Sequence, residues 1–142
     1  MKKVIAISIL FSFASTALQA QSKNETAIHN ILSEQTSAWN SGNIESFMKG
    51  YWKNDSLMFI GKSGVTYGWI NTLNNYKKGY PDAAAMGKLT FTLISVKKLS
   101  AKYYSVTGKW QLNRSIGDVG GHYTLLFRKI HGHWFIVSDH SS

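Results

Sequence analysis

Cysteine is absent from the 142 residues, proline occurs once, and acidic side chains number 7 against 16 Lys and Arg. Without cysteine there is no disulfide framework, no thiolate metal site and no cysteine nucleophile. The chain must hold together by packing alone. The carboxylates are confined to Glu25, Glu34, Glu45, Asp55, Asp82, Asp118 and Asp139, so acid-base chemistry has few candidates. Apolar runs are short as well. The longest, Val4 to Ala14, is too brief for a comfortable membrane span, and no later segment is better suited. No repeat, linker or low-complexity tract interrupts the chain, and its length suits one domain.

What the sequence has is an export signature, scattered lysine and many aromatics. Met1-Lys2-Lys3 is a short cationic start, the apolar run comes next, and Ser15 to Ala20 ends in small residues suited to signal peptidase. Residues 1–20 are therefore expected to be a signal peptide cut after Ala20. Residues 21–142 would remain as a single exported domain, periplasmic or secreted, with no membrane attachment after cleavage. The formal charge of +9 suits nucleic acid in principle. Fourteen of the sixteen cations are Lys, however; beyond the cationic start they lie singly or in the pairs Lys77-Lys78 and Lys97-Lys98, and only Arg114 and Arg128 offer a guanidinium fork. No window concentrates charge along one element, which argues against a nucleic-acid surface. The 19 aromatics, 17 of them beyond residue 20, supply the walls of a core or a pocket.

The hydrophobic pattern begins at helical spacing and changes to alternation. Ile28, Ile31, Leu32, Gln35 and Trp39 mark a first helix, stopped at Asn40-Ser41-Gly42. Asn43 caps a second, short helix with Ile44, Phe47, Met48 and Tyr51 on one stripe. Residues 56–60 and 65–67 flank a turn as a hairpin, and a third helix runs from Gly68 to Lys78 with Trp69, Ile70, Leu73 and Tyr76 apolar. Ala83 to Lys88 reads as a connector. Four strands come after it, over 89–98, 103–112, 122–130 and 133–141. The order predicts an α+β fold in which three N-terminal helices cover a mostly antiparallel sheet.

The last hairpin allows a register to be worked out. His131-Gly132 fits a two-residue turn, so residue 130 should face 133 and paired numbers should sum to 263. Tyr123, Leu125, Phe127, Trp134, Ile136, Ser138 and His140 then share the more apolar face. Leu126, Arg128, Phe135, Val137 and Asp139 lie on the other, and Trp110 of the preceding strand joins the apolar side. Tyr123 is expected opposite His140. Trp110, Tyr123 and His140 thus become the leading site residues, with Trp39, Tyr51, Trp52, Trp69 and Tyr76 from the helical part completing a ligand pocket. Asp139 cannot orient the ring of its neighbour His140, because adjacent strand residues point to opposite faces. His131 and His133 sit at the far end of the hairpin from His122 and His140, so no metal site is assigned, and nothing calls for a cofactor.

Ala38-Trp39-Asn40-Ser41-Gly42-Asn43, Gly50-Tyr51-Trp52, the stretch Asp55 to Gly61, Thr66-Tyr67-Gly68-Trp69, Gly108-Lys109-Trp110 and the final run Trp134 to Ser142 resemble the nuclear transport factor 2-like superfamily. The resemblance is closest to its SnoaL-like branch, known as domain of unknown function 4440, in exported bacterial proteins. It implies a cystatin-like cone, three helices on a strongly curved mixed sheet, with a pocket between them and frequent homodimers through the sheet. Isomerase-type members would carry a base carboxylate near the end of the first strand, where this sequence has Ile60, and an apolar residue cannot abstract a proton. Three readings result. The leading one is a non-catalytic domain binding a small, partly apolar ligand in the cone. The second is an isomerase, cyclase or hydratase with His140 as general base, assisted by Asp139 or Asp55. The third is a homodimeric assembly module using Leu126, Arg128, Phe135 and Val137.

Overall fold

The computed structural model describes residues 23–142. The expected signal peptide, residues 1–20, and its expected cleavage point lie outside the described residues. Helix α1 occupies 23–40 and buries Ile28, Leu32, Gln35 and Trp39 along one stripe. It ends at Gly42, whose φ of 77° is a left-handed conformation that a β-carbon would disfavour. Helix α2 (Ile44–Phe47) is capped by Asn43, whose side chain accepts from the Ser46 amide at 2.8 Å. A 3₁₀ turn, Met48–Gly50, then delivers Tyr51 to the sheet. Strands β1 (Met58–Gly61) and β2 (Gly64–Tyr67) form the expected hairpin, and helix α3 spans Trp69–Gly79.

The stretch read as a connector contains a further turn of helix, α4 (Ala83–Met86). Asp82 caps it by accepting from the Ala85 amide at 2.8 Å, so the described residues hold a fourth helix where three were expected. Strands β3 (Lys88–Ser100), β4 (Tyr103–Asn113), β5 (Val119–Ile130) and β6 (His133–Ser141) complete a six-stranded sheet in the order β2-β1-β6-β5-β4-β3. Every neighbouring pair is antiparallel except β1 with β6. The fold is α+β with a mixed sheet, as the pattern predicts. β5 begins earlier than expected because Gly120 and Gly121 pair with Gln111 and Trp110.

The register of the last hairpin departs from expectation in one decisive place. From Ile130↔His133 to Phe127↔Ile136 the pairing is the expected one, but the next pair is Leu126↔Ser138. Val137 is left over as a β-bulge. Beyond it Leu125 faces Asp139, Thr124 faces His140, and Tyr123 faces Ser141 instead of His140. One extra residue exchanges the two faces of the strand. Trp134 and Ile136 point inward as expected, and then Asp139 points inward while His140 is exposed.

The bulge sits where β6 changes partners. Tyr51 bridges Ile136 in parallel and the Trp52 amide donates to the Ile136 carbonyl at 2.9 Å, whereas β1 pairs from Ser138 onward. Val137 is the joint between these two attachments. Further irregularities in the β3–β4 ladder, at Leu93/Ser95 and Lys98/Ser100, add to the bending of the sheet over the helices. Its inward face carries Tyr104, Val106, Leu112, Tyr123, Leu125, Phe127, Trp134 and Ile136, all buried.

Candidate functional site

The bulge places the Asp139 carboxyl in the interior, 3% exposed. Tyr51, delivered by the 3₁₀ turn, donates its hydroxyl to Asp139 Oδ2 at 2.7 Å, and Ser141 Oγ donates to Oδ1 at 2.7 Å. The Tyr76 hydroxyl of α3 lies 3.4 Å from that of Tyr51 and extends the chain of hydroxyls. Among the described residues Lys77 forms an ion pair with Glu45, and no Lys or Arg pairs with Asp139. Burial pushes the Asp139 carboxyl up from 3.8 to about 6, against the hydrogen bonds from Ser141 and Tyr51 and the charge of His140, which pull it down. Burial, reinforced by the charge of Asp139, drives the phenols of Tyr51 and Tyr76 well above their ordinary range and that of Tyr123 up to about 12. All three phenols are neutral donors at physiological pH.

Aromatic rings surround this polar group. Trp39 meets Phe47, Tyr76 and Tyr80 edge-on at 5.1, 5.9 and 4.8 Å, and its indole N–H donates to the Met86 carbonyl at 3.1 Å. Phe59 of β1 lies 5.7 Å from Tyr76, and Tyr80 stacks beside Tyr76 at 6.1 Å. On the sheet side Phe91 meets Tyr123 at 5.3 Å. The Tyr123 ring lies over Gly108, where any β-carbon would overlap it, and its hydroxyl is buried without a hydrogen-bond partner. Phe59, Tyr76, Tyr80, Phe91 and Trp110 are only partly buried, so the interior meets solvent through aromatic rings.

The expected pocket residues therefore divide. Trp39, Tyr51, Tyr76 and Tyr123 belong to the interior group. Trp110 lies at its edge, its indole N–H donating to the Ser142 carbonyl at 3.3 Å. Trp69 packs on the helical shell, donating to the Met48 carbonyl at 2.9 Å with Lys53 over its ring. Trp52 faces the opposite side of the sheet, with the Arg128 guanidinium 6.0 Å from its ring. Asp55 is exposed in the turn before β1. His140 is corrected from an interior to an exterior residue, and Asp139 from exterior to interior, both by the Val137 bulge. Ser141, Phe59, Tyr80 and Phe91 join the group although none of them is among the expected pocket residues.

Two cavities lie elsewhere. A groove of about 400 Å³ on the sheet is lined by Thr90, Thr92, Lys109, Trp110, Gln111 and His122, so the expected pocket residue Trp110 lines this groove, and a cleft of about 230 Å³ separates α1 from α2 at Gln35 and Gly50. Neither touches Asp139. Among the described residues no group of three or more His, Asp or Glu has metal-binding placement, and no helix is long and apolar enough to cross a membrane.

No family model matches the chain, and no curated protein is similar to it. Solved structures are similar. An NTF-2 like protein of unknown function from Shewanella oneidensis MR-1 is 41% identical, over 84% of this chain and 98% of that one, with a TM-score of 0.80. A domain of unknown function with a cystatin-like fold from Nostoc punctiforme PCC 73102 superposes with a TM-score of 0.69 at 14% identity, over 83% and 75% of the two chains. A ketosteroid isomerase-like protein from Erwinia carotovora atroseptica SCRI1043 gives 0.64 at 16% identity, over 82% and 93%. At these lower identities the likeness is one of fold.

Proposed function

The chain belongs to the NTF2-like family, and from that premise we propose that it is an exported small-molecule-binding domain of the SnoaL-like branch. It holds a small, partly apolar ligand against the Asp139 group in its aromatic interior. The observation that carries the reading is the buried Asp139 carboxyl, bonded to Tyr51 and Ser141 and paired with no Lys or Arg among the described residues, behind half-buried rings. Polar groups withdrawn from water at an energetic cost, beside a Tyr123 hydroxyl with no partner, are the features of a recognition site more than of a plain core. His140 has no part in it, since its ring is on the exposed face of β6.

The test is native mass spectrometry of the purified domain after exposure to a metabolite and lipid extract. A retained small molecule, lost when Tyr51 and Tyr76 are both changed to Phe, is the expected result. An empty protein, or retention indifferent to those changes, would refute the assignment.

A second reading, a homodimer through the outer sheet face, is favoured by Arg128. Its guanidinium lies 6.0 Å from the Trp52 ring and 5.8 Å from that of Tyr103, and its Nε is buried without a hydrogen-bond partner. Sedimentation at micromolar concentration is expected to give a dimer that Arg128→Glu dissociates, and a monomer at that concentration would remove this reading.

A further inference from the structure

The hydrogen bonds around Asp139 all run toward it. Tyr51 donates to one carboxylate oxygen and Ser141 to the other, each at 2.7 Å, so both oxygens accept, which is the pattern of an ionised carboxylate. Two hydroxyls are little compensation for a full negative charge taken out of water. The groups that face it from packed elements are Tyr51 from the turn after α2 and Tyr76 from α3, with Tyr123 from β5 near enough to feel its charge, and all three phenols are held neutral. From α1 the inward residues are Ile28, Leu32, Gln35 and Trp39, none of them charged. From β1 the residue paired with Asp139 is Phe59. On its own strand His140 turns outward, and only its charge, not a hydrogen bond, reaches Asp139.

The rings add a second constraint. Aromatic faces carry the negative side of a quadrupole and attract cations while repelling anions. Trp39, Tyr76 and Tyr80 on the helical side and Phe59 and Phe91 on the sheet side give the interior several such rings, and four of the five are only partly buried. An anionic ligand would meet both an unpaired carboxylate and these faces. A neutral one would leave the carboxylate as it is. The scattered surface lysines that make the chain basic do not offset this, because exposed charges are screened within about 8 Å at physiological salt.

Building on the cone as a binding site, we propose that its ligand is an organic cation, a protonated amine with an apolar or aromatic body, its ammonium paired with Asp139 and its body laid against the surrounding rings. The amine enters through the half-buried aromatics Phe59, Tyr76, Tyr80 and Phe91, and the Tyr123 hydroxyl is the remaining polar contact on the sheet side.

The experiment compares 2-phenylethylamine with 2-phenylethanol, which share one body and differ in charge, by calorimetric titration of the purified exported chain at pH 7.5. The amine is expected to bind at least tenfold more tightly. Asp139→Asn should reduce that preference to less than twofold, and Glu34→Gln, which removes an exposed carboxylate of α1 instead, should keep it. Lowering the pH to 5 should weaken the amine about tenfold in the wild type as the carboxylate protonates, and leave the alcohol unchanged. The pH arm decides the matter should Asp139→Asn fail to fold by circular dichroism. Equal affinity for the two probes, a preference that survives Asp139→Asn, or no binding of either probe overturns the cation. If the extract experiment nevertheless yields a bound neutral molecule, the binding cone stands and only its ligand class is wrong. An empty protein in both experiments removes both.

Discussion

Replacing Asp139 by Asn removes a buried charge at nearly unchanged side-chain volume, which makes it the sharpest probe of the interior. In the folded protein the carboxyl is pushed up to about 6 from its ordinary 3.8. The native state therefore holds a proton more tightly than the unfolded chain does between those values. Stability is greatest below the window and falls as pH rises through it, the opposite of the behaviour of a salt-bridged aspartate. Each pH unit fully inside the window is worth about 1.4 kcal/mol. Between pH 4.0 and 7.5 the wild type should lose about 2 kcal/mol from this group alone, with more than half of that remaining to be lost above pH 5.

Asn has no such titration. It keeps one acceptor oxygen for Tyr51 or Ser141 and presents an amide N–H₂ to the other, a mismatch that costs about 1–3 kcal/mol at every pH. The absolute stability of the variant thus depends on two opposed effects of similar size. The difference between variant and wild type, followed by urea unfolding at pH 4.0, 5.0, 6.0 and 7.5, does not. Titrating groups that do not interact with Asp139 cancel in it, and it should move in favour of Asn by about 2 kcal/mol across the series. A flat difference would refute the buried, uncompensated carboxylate and with it the electrostatic argument for the ligand.

The packing dictates three further outcomes. Gly108→Ala should cost about 1–3 kcal/mol in urea unfolding, because its methyl group would overlap the Tyr123 ring and lie 2.7 Å from the Thr92 carbonyl; combining it with Tyr123→Leu should recover part of the loss. Trp39→Phe removes the indole hydrogen bond to Met86 and part of the contact with Tyr80, and is expected to destabilise by about 2–3 kcal/mol with m unchanged. Deleting Val137 should abolish cooperative thermal unfolding, since a regular ladder would turn Asp139 out and His140 in; a deletion variant that melts as sharply as the wild type would show that the bulge does not set the face.

That bulge is also where the sequence stops being legible. The helices and strands announce themselves through the stripe of Ile28, Leu32 and Trp39 and the alternation of Tyr104, Val106 and Leu112, since each buries an apolar face whose period survives in the letters. The turn at His131-Gly132 is equally readable, and the register it dictates holds for four residue pairs. Past Val137 the chain reads Ser138-Asp139-His140-Ser141-Ser142, all polar, and a polar run has no apolar period from which a shift of one could be noticed. The helix at Ala83–Met86 escapes for a related reason. It is one turn of small residues fixed by the Asp82 cap and by tertiary contacts of Met86.

The cause of the bulge is non-local. β6 has to serve two parallel neighbours on the same edge, Tyr51-Trp52 at Ile136 and β1 from Ser138, and these arrive from separate points of the chain with a turn and a connecting segment between them. The residue left between the two attachments is Val137, and absorbing it reverses the strand. The same device that lets the 3₁₀ turn and β1 share one edge is what carries a carboxylate into an aromatic interior and sets Tyr51 opposite it. Two sequence neighbours, Asp139 and His140, exchange roles as a result. The histidine, the more obvious catalytic letter, is left on the surface, and the chemistry of the interior passes to an acid and the phenols around it.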